Sequence, residues 1–234
     1  MTLKGEKMLE KTMMRDGIGF VALERAWGDD LEIVNDARIS FAKRSYEFSE
    51  GDERLLKWLW KHEHTSPFRH SFLKYTIKMP IYLARQWMKH VVGCSWNEAS
   101  GRYIPIDSWF CPDVFREAPD NLKQGSGGDL SIELNKEAKF IYQESAKQSF
   151  DAYDRLIELG VCREQARGVL PVTSYTLCRW TASFQAVLNF LLLREKSEKS
   201  QSQKEIHEYA EAVKKMSEPY FQKAFEAYEA KIGL

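Results

Sequence analysis

Net charge is the first thing missing from this 234-residue sequence: 34 lysines and arginines balance 34 aspartates and glutamates. No global field draws the chain to nucleic acid or to an anionic membrane, so any anion site has to be local. Long apolar runs are missing too. None reaches the roughly 18 residues of a membrane span, and the first residues, through Met14 and Asp16, have no apolar core of signal-peptide length. The expectation is a cytoplasmic protein with neither a membrane nor a nucleic acid as partner. Cysteine is scarce, with four in all. Cys94, Cys111, Cys162 and Cys178 contain no C-x-x-C pair and match no zinc spacing with the histidines. His62, His64 and His70 lie close together but lack a carboxylate or cysteine partner at a recognised spacing, so no metal is expected. Internal repeats and linkers are also absent. The whole chain, 1–234, is expected to be one domain, with 1–30 as an N-terminal extension or first strand and 120–130 as a flexible loop.

What is present alternates between helix and strand. Arg54 to Lys61 reads as a short helix, and Leu73, Tyr75, Ile77 and Met79 alternate with Lys74, Thr76 and Lys78 as in a strand. Pro80 suits a first helical position, and the helix it opens is expected to run to about Val91, with Ile81, Ala84, Met88 and Val91 facing the core. Gln124 to Gly128 has no apolar pattern. It is followed by a long helix with Phe140, Ile141, Phe150, Tyr153, Leu156 and Ile157 at packing positions. A second strand is expected over Val172 to about Thr181, leading into a helix that buries Phe184, Val187, Leu188, Leu191 and Leu192. One last long helix is expected over residues 203–230. The class is α+β.

Most of the chemically capable side chains fall within Arg85-Gln86-Trp87-Met88-Lys89-His90 and Asn97-Glu98-Ala99-Ser100-Gly101-Arg102-Tyr103. In an extended segment positions 98, 100 and 102 share a side, bringing together a carboxylate, a hydroxyl and a guanidinium. Gly101 removes a side chain between them and permits close approach. Such a loop suits an anionic, hydrogen-bonding small molecule. Gln86, Lys89 and His90 stand at i, i+3 and i+4 and share a helix face, which a plain solvated face would also explain.

The two segments resemble the signature of the flavin-dependent thymidylate synthases, in which Arg-Gln-Trp and Arg-His-Arg precede Asn-Glu-x-Ser-x-Arg-Tyr. The loop matches at every fixed position. Lys89-His90-Val91 departs from Arg-His-Arg, and the interval from His90 to Asn97 is one residue longer. Other segments resemble the family in order: Ala37-Arg38-Ile39-Ser40-Phe41, His64-Thr65-Ser66-Pro67-Phe68-Arg69-His70, Arg163 to Pro171, and Asn189 to Arg194. The resemblance implies a central, mainly antiparallel sheet flanked by long helices.

It also implies roles. Gln86, Lys89, Glu98, Ser100, Gly101, Arg102, Arg167 and Arg194 would bind dUMP, with Arg102 and Arg167 on the phosphate, because a guanidinium offers a charged planar fork, and with Gln86 and Ser100 completing that cradle. Arg194 and Lys89 would stabilise charge developing on the uracil ring, and Ser100 would position ligand rather than act as a nucleophile. Ser40, Ser66, Lys89, His90, Glu98, Ser183, Gln185 and Asn189 would contact FAD, and His64 would stand at the folate or flavin entrance. Ser183 and Gln185 occupy positions where the family commonly has asparagine and arginine. The charge lost at 185 is open to replacement, for example by Lys196 or Lys199. Ser40 reads equally as a helix cap and Ser66 as a turn residue.

The implied reaction is reductive methylation of dUMP to dTMP, with methylenetetrahydrofolate as carbon donor and NADPH as reductant of FAD, in a homotetramer whose active sites are shared among subunits. Two alternatives stay open: a sibling enzyme modifying a related pyrimidine nucleotide, for example by hydroxymethylation, and a non-catalytic nucleotide-binding protein.

Overall fold

Five strands and eight helices make up the described part of the chain, residues 10–119, 125–195 and 202–232 of a computed structural model. The strands are β1 (Lys11–Met13), β2 (Phe20–Trp27), β3 (Phe72–Pro80), β4 (Cys94–Glu98) and β5 (Tyr175–Ser183). They form one sheet in the order β1-β2-β3-β5-β4 in which every neighbouring pair is antiparallel. The helices are α1 (Asp30–Arg38), α2 (Glu50–Lys61), α3 (Ile81–Trp87), α4 (Ile132–Glu158), α5 (Arg163–Ala166), α6 (Phe184–Arg194), α7 (Lys204–Ser217) and α8 (Gln222–Ile232). The α+β class and the antiparallel sheet are thereby established.

Alternation along β3 and β5 gives the sheet two unlike faces. Leu73, Tyr75, Ile77 and Met79 of β3, with Cys178, Trp180 and Ala182 of β5, are buried in the core beside α3, α6 and α7. The other face carries Lys74, Thr76 and Arg179 gathered on Glu24, which pairs with Lys74 and Arg179 at 2.9 Å each and accepts from Thr76. Trp87, the last residue of α3, anchors the apolar side. Its ring stacks on Phe190 at 4.2 Å and meets Trp180 edge-on at 5.2 Å, contacts that each add roughly 0.5–1.5 kcal/mol beyond the burial of area. The residues after Trp87 therefore leave the core from a fixed point.

Four expectations need correction. Helix α3 stops at Trp87 instead of reaching Val91, because the His90 N–H bonds back to the Trp87 carbonyl (3.0 Å) and the chain turns at Gly93, whose φ is +72°. Val91 is consequently 67% exposed and not a core residue. On α4, Phe150 and Tyr153 are buried, Leu156 and Ile157 are half-buried, and Phe140 and Ile141 lie on the exposed side. The final helix is two: Asp30 of α1 accepts the backbone N–H groups of Lys223 and Ala224 (2.8 and 2.9 Å) and so starts α8 separately from α7. On α6, Leu192 is 40% exposed while Phe184, Val187, Leu188 and Leu191 are buried.

The stretch between His90 and Asn97 enters the sheet without an irregularity. Cys94 N–H closes a turn on the Val91 carbonyl (3.3 Å), Ser183 N–H bonds the Gly93 carbonyl (2.8 Å), and β4 then pairs with β5 without a slip from Cys94 opposite Ala182 to Glu98 opposite Cys178. Residues 120–124 of the expected loop lie outside the described residues. Beyond them, Gly127 and Gly128 pair with Glu117 through backbone hydrogen bonds.

Candidate active site

Strand β4 delivers the loop. After Glu98, Ala99 makes one more bond to β5, its N–H donating to the Leu177 carbonyl at 2.8 Å, and the chain then turns as the N–H groups of Tyr103 and Ile104 bond the Ser100 carbonyl. Glu98 accepts from Thr176 Oγ1 at 2.7 Å, and Ser100 Oγ accepts from both the backbone N–H and Nε of Arg102 at 3.3 and 3.2 Å. Since Ser100 Oγ already accepts twice, its own proton is left to donate. Gly101 is buried, and a Cβ there would stand 3.0 Å from Ile106 Cδ1 and 3.4 Å from Arg167 Cδ. The missing side chain is what lets the Arg167 stem cross the loop.

These groups line one cleft of about 630 Å³ together with Arg85 of α3, Met88 just beyond it, Glu164 of α5 and Thr176 of β5. Its size falls in the range of roughly 300–1,000 Å³ usual for small-molecule sites. Arg85, Arg102 and Arg167 face it, and none of the three has a carboxylate partner among the described residues. Residues 98, 100 and 102 do share a side, but through a turn rather than a strand. Arg85 was missed as a site residue. The signal was available, because Arg85 falls at helical spacing with Ile81 and Met88, which also line the cleft.

The remaining candidates do not line this cleft. Gln86 points elsewhere and donates to Gln203 Oε1 at the start of α7 (3.0 Å). Lys89 is exposed just beyond α3. His90 and Arg194 meet at the end of α6, with Arg194 Nε 3.4 Å from His90 Nε2. Burial, and then the neighbouring Arg194 charge, push the His90 imidazole down to about 4, so it is neutral near pH 7 and offers Nε2 as an acceptor. Burial also lowers the Arg194 guanidinium from its ordinary value. Gln185 is half-buried and Asn189 exposed, four residues apart on the same side of α6.

The serines divide. Ser66 is exposed at the head of a 3₁₀ turn, Ser66–Arg69, that packs on α6. Ser40 is exposed in the 3₁₀ turn Ile39–Phe41 and makes no capping bond. Ser183 is buried and caps α6, its Oγ accepting from the Ala186 N–H at 3.3 Å, and Gly93 packs so closely that a Cβ would stand 2.6 Å from that Oγ. Its hydroxyl is therefore committed to the helix. His64 is exposed with its ring 4.8 Å from Trp58, which also holds His62 at 4.9 Å. Lys196 and Lys199 lie outside the described residues. Burial raises the Cys94 thiol, which leaves it a poor nucleophile.

Comparison with known proteins identifies the family. The family model described as thymidylate synthase complementing protein (Thy1) matches residues 22–221. A flavin-dependent thymidylate synthase of Kosmotoga olearia is 39% identical over 224 residues, covering 95% of this chain and 92% of its own. One from Thermus thermophilus is 38% identical, covering 90% of this chain and 76% of its own. Among solved structures, a UMP/dUMP methylase, PolB of Streptomyces cacaoi, bound with 5-Br dUMP, superposes with a TM-score of 0.82 at 28% identity, over 91% of this chain and 95% of that one.

Proposed function

The chain belongs to the flavin-dependent thymidylate synthase family, and from that premise we propose how its surfaces divide the conversion of dUMP to dTMP. The observation that carries the reading is the cleft around Ser100, Gly101 and Arg102, in which three guanidiniums and two carboxylates, Glu98 and Glu164, face a space of nucleotide size and none of the three guanidiniums is ion-paired among the described residues. Arg102 and Arg167 take the phosphate as charged forks, and Arg85 adds a third cation to the same wall. Ser100, accepting from Arg102, donates its proton to the nucleotide. Glu98, held by Thr176, offers its other oxygen to a hydroxyl donor.

The base end is served by Arg194 and Lys89. Arg194 rests on a neutral imidazole and is partly desolvated, so its charge acts strongly on negative charge developing at the uracil oxygens. Because these residues do not line the cleft of their own protomer, another subunit brings them to it. The working unit is a homotetramer with shared sites. The whole chain acts as one domain, in the cytoplasm.

FAD would be held by His90, Gln185 and Asn189 and by Ser66 on the turn that packs on α6, with Ser40, Glu98 and Lys89 as further contacts. The donor set fits FAD: side-chain amides and hydroxyls for the ring system and ribityl chain, and a neutral histidine whose Nε2 accepts from Arg194 and whose Nδ1–H is left to donate without adding charge. Reduced FAD supplies the hydride, methylenetetrahydrofolate the carbon, and NADPH the electrons that reduce the flavin. His64, held against Trp58, stands at the folate entrance. No cysteine takes part.

Anaerobic turnover of the FAD-loaded protein with dUMP, methylenetetrahydrofolate and NADPH, read by product mass, tests this. The expected product is dTMP. A hydroxymethylated nucleotide, or flavin reduction without any new nucleotide, contradicts the assignment.

A further inference from the structure

Arg69 lies outside both the cleft and α6, yet its side chain is tied across 116 residues of sequence to Gln185 of the proposed flavin surface. Its Nε donates to Gln185 Oε1 at 2.6 Å, and Nη2 donates to Thr65 Oγ1 at 3.3 Å. Two bonds to neutral groups fix the plane of the guanidinium. The side chain is otherwise exposed, and Arg69 has no carboxylate within ion-pair range among the described residues. This contrasts with Arg38 and Arg116, whose forks are spent on Asp52 and Glu205.

The surroundings want such a group. Gln185, Asn189, Ser66 and the neutral His90 bring donors and acceptors but no formal positive charge, whereas a flavin dinucleotide brings two negative charges in its pyrophosphate. A planar, permanently charged fork is the side chain best matched to that group. Gln185 presents its carbonyl to Arg69, so its amide N–H₂ points away from Arg69 and remains a second donor beside it. The 3₁₀ turn that carries both Ser66 and Arg69 rests on α6 through Phe68, whose ring stacks with that of Phe184 at 6.3 Å, so the two sides of this subsite are held together by the core.

We propose that Arg69, oriented by Gln185 and Thr65, is the cation that binds the pyrophosphate of the flavin dinucleotide. The proposal rests on the assignment of FAD to this surface. It makes Gln185 a positioning residue for a charge carried on the neighbouring turn.

The test titrates flavin-stripped protein with FAD and with riboflavin, which lacks the phosphates, following flavin fluorescence. Arg69→Gln is expected to weaken FAD by about 10- to 100-fold while riboflavin affinity stays unchanged, the loss matching hydrogen bonds to a charged group. The FAD affinity of the variant should also depend less on salt than that of the wild type. Adding Gln185→Arg to Arg69→Gln returns a guanidinium to the same place and is expected to recover FAD to within about fivefold of wild type. Thermal unfolding of each flavin-free variant is the check on folding, and Arg69→Lys, which keeps a charge on an exposed turn, serves if Arg69→Gln does not fold. Equal FAD affinity in wild type and the folded single variant, Arg69→Gln or Arg69→Lys, overturns the role of Arg69 alone, because neither side chain offers the charged fork. A wild type that takes up no FAD overturns it together with the flavin assignment.

Discussion

The cleft at the end of β4 and the surface along α6 are built in different ways. In the cleft the functional groups hold one another: Arg102 bonds Ser100, Thr176 bonds Glu98, and the Arg167 stem lies where Gly101 has no side chain. Along α6 they are held by the core beneath. Trp87 and Phe190 fix the point from which Lys89 and His90 emerge, and Ser183 is spent on capping the helix. A self-supporting cleft gives an anion site within one protomer, whereas the α6 surface offers separate donors that need a second surface to face. The difference is what makes a shared active site physically reasonable.

The largest expected effect breaks the cleft alone. Arg102→Ala or Arg167→Ala should weaken dUMP by about 10- to 100-fold, the equivalent of roughly 1.5–3 kcal/mol for a hydrogen bond to a charged group, and leave FAD affinity near wild type. Calorimetric titration of both ligands reads the separation, and a matching loss of FAD would blur the two surfaces into one. Gly101→Ala is milder. Its Cβ would press Ile106 and Arg167, and since both neighbours are side-chain atoms that can shift, the expected result is about a tenfold loss of dUMP affinity through the displaced Arg167, with a loss of folding stability at the low end of overpacking, about 1 kcal/mol.

The α6 surface has its own signature in pH. His90 is depressed to about 4 when folded, from an ordinary value of 6.5, by burial and the Arg194 charge. A depressed group contributes stability that is fully present above 6.5 and is lost as pH falls from 6.5 through 4, because the unfolded chain takes up the proton first. His90→Gln should flatten the acid limb of the stability curve in that window. Arg194→Ala, followed by NMR titration of the imidazole, should raise the His90 value. An unmoved value would mean that burial alone sets it. The smallest effect is expected at Cys94, whose thiol is raised by burial and belongs to neither set of ligands. Cys94→Ser should leave turnover within about twofold, since a half-buried thiol whose ionisation is held up by desolvation is a poor nucleophile.

Periodicity carried much of the fold. The alternation of Leu73 to Met79 located β3, and the spacing of Phe184 to Leu191 located α6, because each records which side chains meet the core. The run from Ile81 to Val91 misled at its end, since local spacing does not register a turn closed by His90 and a positive φ at Gly93. The Glu98-to-Arg102 loop was legible because each of its residues has chemistry of its own. Arg69 was not, because its meaning lies in a hydrogen bond to Gln185, distant in sequence. The same holds for Asp30, whose capping of α8 split the helix expected over 203–230.

Mixing two inactive proteins tests the division of the site most directly. Arg102→Ala removes the phosphate end in the cleft and Arg194→Ala removes the base end on α6, each leaving the other surface intact. If the two ends come from different subunits, exchange of subunits between the variants restores dTMP formation at about a quarter of the sites for random mixing. Mixed oligomers that form but remain inactive would contradict the account.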